Sequence, residues 1–374
     1  MRDGWLETNL GKYIHINTGK LDVNAASEFG EYPFFTCSRE TYRIDEAAFE
    51  GESVLVAGNG DLNVKYFDGK FNAYQRTYVL NSVDRKILTN RFLFLYMQTY
   101  IEYLRSETRG TVIQYLKKGQ FTDAKIKLPP LLEQKRIVDL ISSVDSYIQT
   151  LHQQLETAKK SRNAVLHDLL AMGGDDWVAS TLGEVAVLNP SEPALSNSDH
   201  FAPMDAVHVG KRWVQYTEER RDRNGARARA GDVLFARITP CLENGKVAQV
   251  QSELKRCGGS TEFIVVRGTE KCTSDFLYFW CTLKENRDKA AELMTGTTGR
   301  QRLSWQDLGS LSLWLPSITD QERIVSYISE FDSLIESTES AITQAQNLRS
   351  GLLSDLLSGD HEIPASYDKV IGAA

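Results

Sequence analysis

Two stretches decide the fold: "EQKRIVDLI" (Glu133–Ile141) and "DQERIVSYI" (Asp320–Ile328), 187 residues apart. At that offset Pro129 falls on Pro316, Gln134 on Gln321, Arg136 on Arg323 and Ile137 on Ile324. The register continues through Asp145 on Asp332, Ile148 on Ile335, Ala158 on Ala345 and Arg162 on Arg349, and reaches Leu170 on Leu357. Chance does not hold a register so long, so the chain carries an internal duplication. Upstream the likeness weakens and the offset drifts. "WLETNLGKYI" from Trp5 matches "WVASTLGEVA" from Trp177, and "GESVLVA" from Gly51 matches "GDVLFA" from Gly231. The order is a variable segment, a constant one, then each again.

The constant segments read as long helices. Apolar or small residues step by four and three through Ile137, Ile141, Val144, Ile148, Leu151, Leu155 and Ala158, then Val165 and Leu169; Arg162 interrupts once. The second copy repeats the steps at Ile324, Ile328, Phe331, Ile335, Thr338, Ile342, Ala345, Arg349, Leu352 and Leu356. This is the seam of a coiled coil, narrower than the stripe an ordinary amphipathic helix buries. Thr319 with Glu322 suits a capping box, and Gly173, Gly174 and Gly359 suit stops. A helix of about 40 residues is ~60 Å long. One variable segment joins its start, and the other begins just past its end. For the seams to meet, the second helix must run back along the first, which predicts an antiparallel pair.

The variable segments carry short strand-like runs broken by Gly, Asn, Asp and Pro, such as "SVLVAGNGD" from Ser53 and "DVLFARITP" from Asp232. Each has one convincing helix, near 89–105 and 274–294, followed by a polar, Gly-containing stretch. The fold class expected is α+β: two globular domains separated by a long antiparallel two-helix coiled coil, with pseudo-two-fold internal symmetry. The boundaries expected are 1–130, a helix over 131–172, a linker at 173–176, 177–317, a helix over 318–358 and a tail at 359–374.

Composition sets limits. No apolar run approaches the ~20 residues of a membrane span, and no apolar stretch follows the start as in a signal peptide. Five cysteines without C-x-x-C spacing read as reduced thiols in the cytoplasm. The net charge of −7 is unevenly spread. Residues 1–130 carry 17 Lys and Arg against 16 Asp and Glu, and 177–317 carry 18 against 17; the second helix carries 2 against 7. The globular segments are thus locally basic, at Lys211–Arg229 and around Lys117 and Lys118, as phosphate contacts require.

Pro-x-x-x-[Glu/Asp]-Gln-x-Arg-Ile, present twice and each time leading from a variable domain into a long helix, resembles the specificity subunit of type I restriction-modification enzymes. "DVLFARITPCLENGKVA" from Asp232 and "YFDGKFNAYQRTYVL" from Tyr66 also look like stretches of its target recognition domains. The resemblance covers essentially the whole chain to about Ser358. It implies that 1–130 and 177–317 are target recognition domains, each reading one half of a split, asymmetric site on double-stranded DNA. The helix pair would fix the unspecified spacer and bind two methyltransferase subunits, which carry S-adenosylmethionine. Restriction subunits using ATP and Mg could join the complex. The chain itself would bind no cofactor and catalyse nothing.

Paired donors and acceptors read base edges. The DNA-binding candidates are Gln75, Arg76, Arg109, Gln114, Lys117 and Lys118 in the first domain. In the second they are Lys211, Arg212, Arg237, Asn244, Lys246, Arg300, Gln301 and Arg302. Tyr115, Trp213 and Trp305 could stack an extruded base, although core packing is the commoner fate of a Trp. Gln134 and Gln321, with Arg136 and Arg323, are expected to pair at the helix entrance with Glu133 or Asp320, in preference to the other reading, a repeated contact to the preceding recognition domain or to a methyltransferase subunit.

Enzyme readings lack their signatures. Asn189-Pro190-Ser191-Glu192 fails the tetrapeptide of an adenine methyltransferase. Asp232 with Glu253-x-Lys255 is a short nuclease-like pattern of a kind that recurs by chance. No Walker A loop is present, and the six His do not cluster with Cys at metal-ligand spacing. A pure coiled-coil scaffold would explain the helices but not the local basicity.

Overall fold

The computed structural model of the chain describes residues 4–107, 115–171, 174, 176–297, 299–364 and 366–367. It divides into two compact units, one drawing on Met1–His152 with Ser340–Ala374 and the other on Gln153–Glu339. Part of each long helix belongs to each unit.

The two units share one architecture. In the first, Ile14–Thr18, Thr77–Ser82, Ser53–Ala57 and Val64–Phe67 form an antiparallel sheet in that order. A second sheet orders Thr41–Ile44, Tyr32–Phe35, Lys70–Ala73 and Phe49–Glu50, its middle pair parallel. In the second unit one sheet orders Val187–Leu188, Phe263–Arg267, Val233–Ala236 and Val247–Gln249. The other orders Glu218–Glu219, His200–Ala202, Arg256–Gly259 and Ala226–Arg229, again with a parallel middle pair. Each unit adds a two-stranded ribbon that leads into a long helix, Leu6–Asn9 with Lys125–Leu128 and Val178–Thr181 with Ser312–Leu315.

Alternation of side chains across a strand explains why the central runs are apolar throughout. Val54 and Val56 pack with Phe92 and Leu93 of the helix Asn90–Glu107, while Leu55 packs with Phe35, Phe71 and Val79. In the second unit Val233 and Phe235 meet Phe276 and Phe279, and Leu234 and Ala236 meet Ala202 and Cys257. The helix expected near 274–294 is broken into Ser274–Thr282 and Lys284–Glu292, with Leu283 extended. The buried Asn286 amide donates to the Trp280 carbonyl at 2.9 Å. That carbonyl is the acceptor Lys284 would need for the helix to continue.

The long helices span Leu131–Ala171 and Ile318–Ser358. The cap of the second lies at Ser317 rather than at Thr319. The Ser317 hydroxyl accepts from the Asp320 N–H at 3.2 Å and donates to its carboxylate at 2.8 Å. Gly359 at φ +74° ends the helix, a conformation that glycine adopts without strain.

Within each unit the two helices run antiparallel. In the first, Ile137 and Ile141 share a core with Leu353 and Leu356, and Asp145 meets Arg349 further along. In the second, Leu166 and Leu170 share a core with Ile324 and Ile328, and Arg162 meets Asp332. Leu151, Leu155, Ile342 and Ala345 are buried, whereas Val144, Ile148, Phe331, Ile335 and Leu352 are half-buried. At the helix ends the burial moves off the strict seam, from Val165 and Leu169 to Leu166 and Leu170, and from Leu352 to Leu353.

The arginines that interrupt the seam are its polar fastening. Arg162 grips Asp332 with Nε–Oδ1 2.5 Å and Nη2–Oδ2 3.3 Å. Arg349 grips Asp145 in the same way, with Nη2–Oδ2 3.0 Å. Each pair joins the arginine of one repeat to the aspartate of the other. Two-point geometry and partial burial place them above isolated surface pairs.

Gln134 and Gln321 do not pair with Glu133 or Asp320. Both are fully buried and dock the helix entrance onto the preceding domain. The Gln134 amide donates to the carbonyls of Ile87 (2.7 Å) and Pro129 (2.9 Å) and accepts from the Thr89 N–H (2.9 Å). Gln321 donates to Lys271 (2.9 Å) and Pro316 (3.0 Å) and accepts from Thr273 (2.8 Å). Arg323 does make the expected contact with Asp320, at 3.4 Å.

All five cysteines are free thiols. Burial pushes Cys257 up to about 11 and Cys272 up to about 12, and raises Cys281 further. Thiolate, the reactive form, is therefore suppressed at these three. A thiol-reactive chromophore should label Cys37 and Cys241 in the native chain and all five after denaturation. Early labelling of Cys281 would contradict the packing. No helix among the described residues is long and apolar enough to cross a membrane.

Candidate nucleic-acid interface

The same corner is built twice at the end of the central strands. In the first unit Ala57 pairs with Thr77, and one residue on the Gly58 N–H donates to the Arg76 carbonyl at 2.8 Å. The chain returning at Tyr115 bridges to Asn59, and the Leu116 N–H donates to the Gly58 carbonyl at 2.8 Å. In the second unit Ala236 pairs with Phe263, the Arg237 N–H donates to the Glu262 carbonyl at 2.9 Å, Arg302 bridges to Ile238, and Leu303 donates to Arg237 at 2.8 Å. Leu116 and Leu303 are buried, which pins each returning segment. Short helices follow, Lys118–Thr122 and Trp305–Gly309. The Gln120 side chain accepts from the Lys117 N–H at 2.7 Å, and the Ser304 hydroxyl accepts from the Asp307 N–H at 3.0 Å.

This architecture gathers several of the candidates. Arg76 lies over the Tyr115 ring at 5.5 Å, and Tyr115 is 54% exposed. Gln75 is exposed beside them and donates to Asp22 at 3.3 Å. Lys117 and Lys118 are exposed at the start of the short helix. In the second unit Arg300 and Arg302 are exposed and Gln301 is half-buried. The Gln301 carbonyl accepts from the Thr239 N–H at 3.1 Å. The buried Nε of Arg237 has no hydrogen-bond partner among the described residues. Asn244 is exposed nearby in sequence, and the Lys246 ammonium donates to the Met204 carbonyl at 3.0 Å. Arg109 and Gln114 lie outside the described residues.

Two basic candidates have partners within the fold. Arg212 pairs with Asp275 at 2.6 Å, donates to Gln249 at 2.9 Å, and lies over Trp213, Phe279 and Tyr278 at 4.7, 5.4 and 5.6 Å. Lys211 donates to Glu339 at 2.6 Å. Its hydrogen bond, with that of Lys159, holds the Glu339 carboxyl below the usual carboxylate range. Trp213 and Trp305 are not core residues, being 41% and 45% exposed. Asp232 is 1% exposed and held by Arg267 at 2.6 and 2.7 Å. A nuclease role would require that carboxylate to reach solvent and a metal.

Sequence reasoning missed two groups. Glu262 holds Arg302 through three short contacts, and no pattern flagged it. Arg220, Arg223 and Arg227 line a 250 Å³ pocket with Phe201, inside the basic run already noted. Their grouping could have been found from that charge run.

The family model described as type I restriction modification DNA specificity domain matches residues 2–160 and again 174–347. The chain belongs to this family and carries its domain twice. Among its relatives, the type I restriction enzyme EcoDI specificity subunit of Escherichia coli is 26% identical over 98% of this chain and 94% of its own length. The MjaVIII specificity subunit of Methanocaldococcus jannaschii is 21% identical over 96% and 93%. The fold matches the S subunit of a type I restriction-modification system from M. genitalium, with TM-score 0.60, 17% identity and coverage of 96% and 97%. It also matches a chain from a structural study of complex assembly and conformational transition of the type I R-M system, with TM-score 0.63, 17% identity and coverage of 96% and 99%. The chain is thus a DNA-recognising specificity subunit, the non-catalytic component of a restriction-modification complex.

Proposed function

We propose that the two units read unlike halves of one bipartite, asymmetric site on double-stranded DNA. The helix pair then sets the unspecified spacer and docks two methyltransferase subunits. The observation that carries this reading is the corner built twice on one backbone plan with different side chains. Alike frames with unlike surfaces suit two half-sites of unlike sequence. The near-identical helix entrances offer equivalent docking places to two alike partners. S-adenosylmethionine would be held by those partners, and ATP and Mg by restriction subunits, while this chain supplies selectivity. Binding one half-site would raise the effective concentration at the other.

The test is to assemble the chain with its methyltransferase partner and sequence the adenines it methylates. A split motif with a constant gap is expected, and unselective methylation would sink the reading. Removing seven matched residues from both helices takes out ~10 Å of length. The gap should then shorten by about three base pairs at ~3.4 Å each, with both half-sites retained. An unchanged gap would refute the spacer role.

A further inference from the structure

The repeated corner places different chemistry at equivalent positions. Arg76 and Glu262 stand one residue before the central strand, each lending its carbonyl to the neighbouring strand end. Tyr115 and Arg302 stand opposite, each one residue before the buried leucine, and they are 187 residues apart like the helices they precede. The first corner is therefore an arginine over a tyrosine ring, and the second a glutamate gripping an arginine.

The second grip has a defined geometry. Arg302 uses Nε (2.9 and 3.1 Å) and Nη2 (2.8 Å), the side edge of its guanidinium, on the Glu262 carboxylate. The end edge formed by Nη1 and the outer hydrogen of Nη2 has no partner among the described residues. It carries two parallel donors on a side chain 45% exposed. A flexible arginine loses rotamer freedom on binding, and Glu262 has already removed much of that freedom. Two parallel donors match one base edge best, the O6 and N7 acceptors of guanine in the major groove.

We infer that Arg302, oriented by Glu262, reads a guanine in the second half-site, and that Arg76 over Tyr115 at the equivalent position makes the first half-site different. This rests on the proposed reading of two half-sites. Arg302 is the specificity residue and Glu262 its positioning residue. In the first corner the arginine lies over a π-face, whereas in the second it is held by a carboxylate.

The experiment uses the full chain assembled with its methyltransferase partner and duplexes substituted one base pair at a time. For Arg302→Gln, discrimination at one G·C pair of the second half-site should fall about 5- to 150-fold. Preference in the first half-site and the gap should not move, which also shows that the variant is folded. Glu262→Gln keeps the shape and weakens the hold, so a smaller loss at the same base pair is expected. Arg76→Gln should alter only the first half-site. Suppose instead that Arg302→Gln weakens binding equally on every duplex and lowers the salt slope by about one. Arg302 is then a phosphate clamp and the inference falls. It falls equally if both half-sites are unchanged. Failure of the wild-type complex to select any sequence would overturn the half-site reading itself, an outcome distinct from either.

Discussion

Gln321→Glu lowers the stability of the second unit by about 3 kcal/mol or more at neutral pH, the expected result of converting one amide to a carboxyl. The side chain is fully buried and its volume does not change. An ionised carboxyl still accepts from the Thr273 N–H but cannot donate to the Lys271 and Pro316 carbonyls. Two acceptors would lose their donor, at ~1–3 kcal/mol each, and a charge would be buried against them. Burial favours the protonated form, so the pKa of the introduced carboxyl is raised in the folded state. The stability it allows is then present at low pH and lost as pH rises, so the deficit should be larger at pH 8 than at pH 5. Urea unfolding at both values checks this, and Gln134→Glu should reproduce it in the first unit. A deficit below about 1 kcal/mol at pH 8 would mean that the entrance is not held by this amide.

Arg212→Ala is the second large effect, and its signature separates fold from recognition. Truncation leaves the side-chain amide oxygen of Gln249 without its donor, leaves the Asp275 carboxylate with only the Gln249 amide, and strips a cation from three rings. The Asp275 contribution is small because that carboxylate is half exposed. The sum is about 2–4 kcal/mol of lost stability in the second unit. At a temperature where the variant is folded, the salt dependence of DNA binding should match that of the parent. Lys118→Ala, at an exposed position, should leave stability within about 0.5 kcal/mol. An unchanged unfolding midpoint with a reduced salt slope would make Arg212 a phosphate contact after all.

The duplication and the helix pair were legible because a helical seam is periodic and a repeat needs only self-comparison. The exceptions have physical causes. An undistorted helix drifts ahead of a strict seven-residue repeat. Near its ends each helix also packs into a domain core, so burial reaches Leu166, Leu170 and Leu353 beside the seam positions. The break at Leu283 depends on a side chain three residues later reaching back to Trp280, which no propensity encodes. Arg212 looked like a surface cation because charge runs are read without knowing what folds over them. Glu262 was invisible for the opposite reason: an acid is not sought in a surface that meets phosphate, yet it can aim the base beside it.

The buried glutamines also bear on how such a chain can vary. Every hydrogen-bond partner of their amides among the described residues is main-chain: Ile87, Thr89 and Pro129 in one unit, Lys271, Thr273 and Pro316 in the other. Peptide groups are alike whatever side chain they bear. The joint therefore checks the path of the preceding domain and ignores its spelling. Lys271 in one copy corresponds to Ile87 in the other, and the joint makes no distinction between them. A domain that keeps its backbone course can exchange its outward residues without loosening the helix it leads into, so selectivity and assembly can change independently.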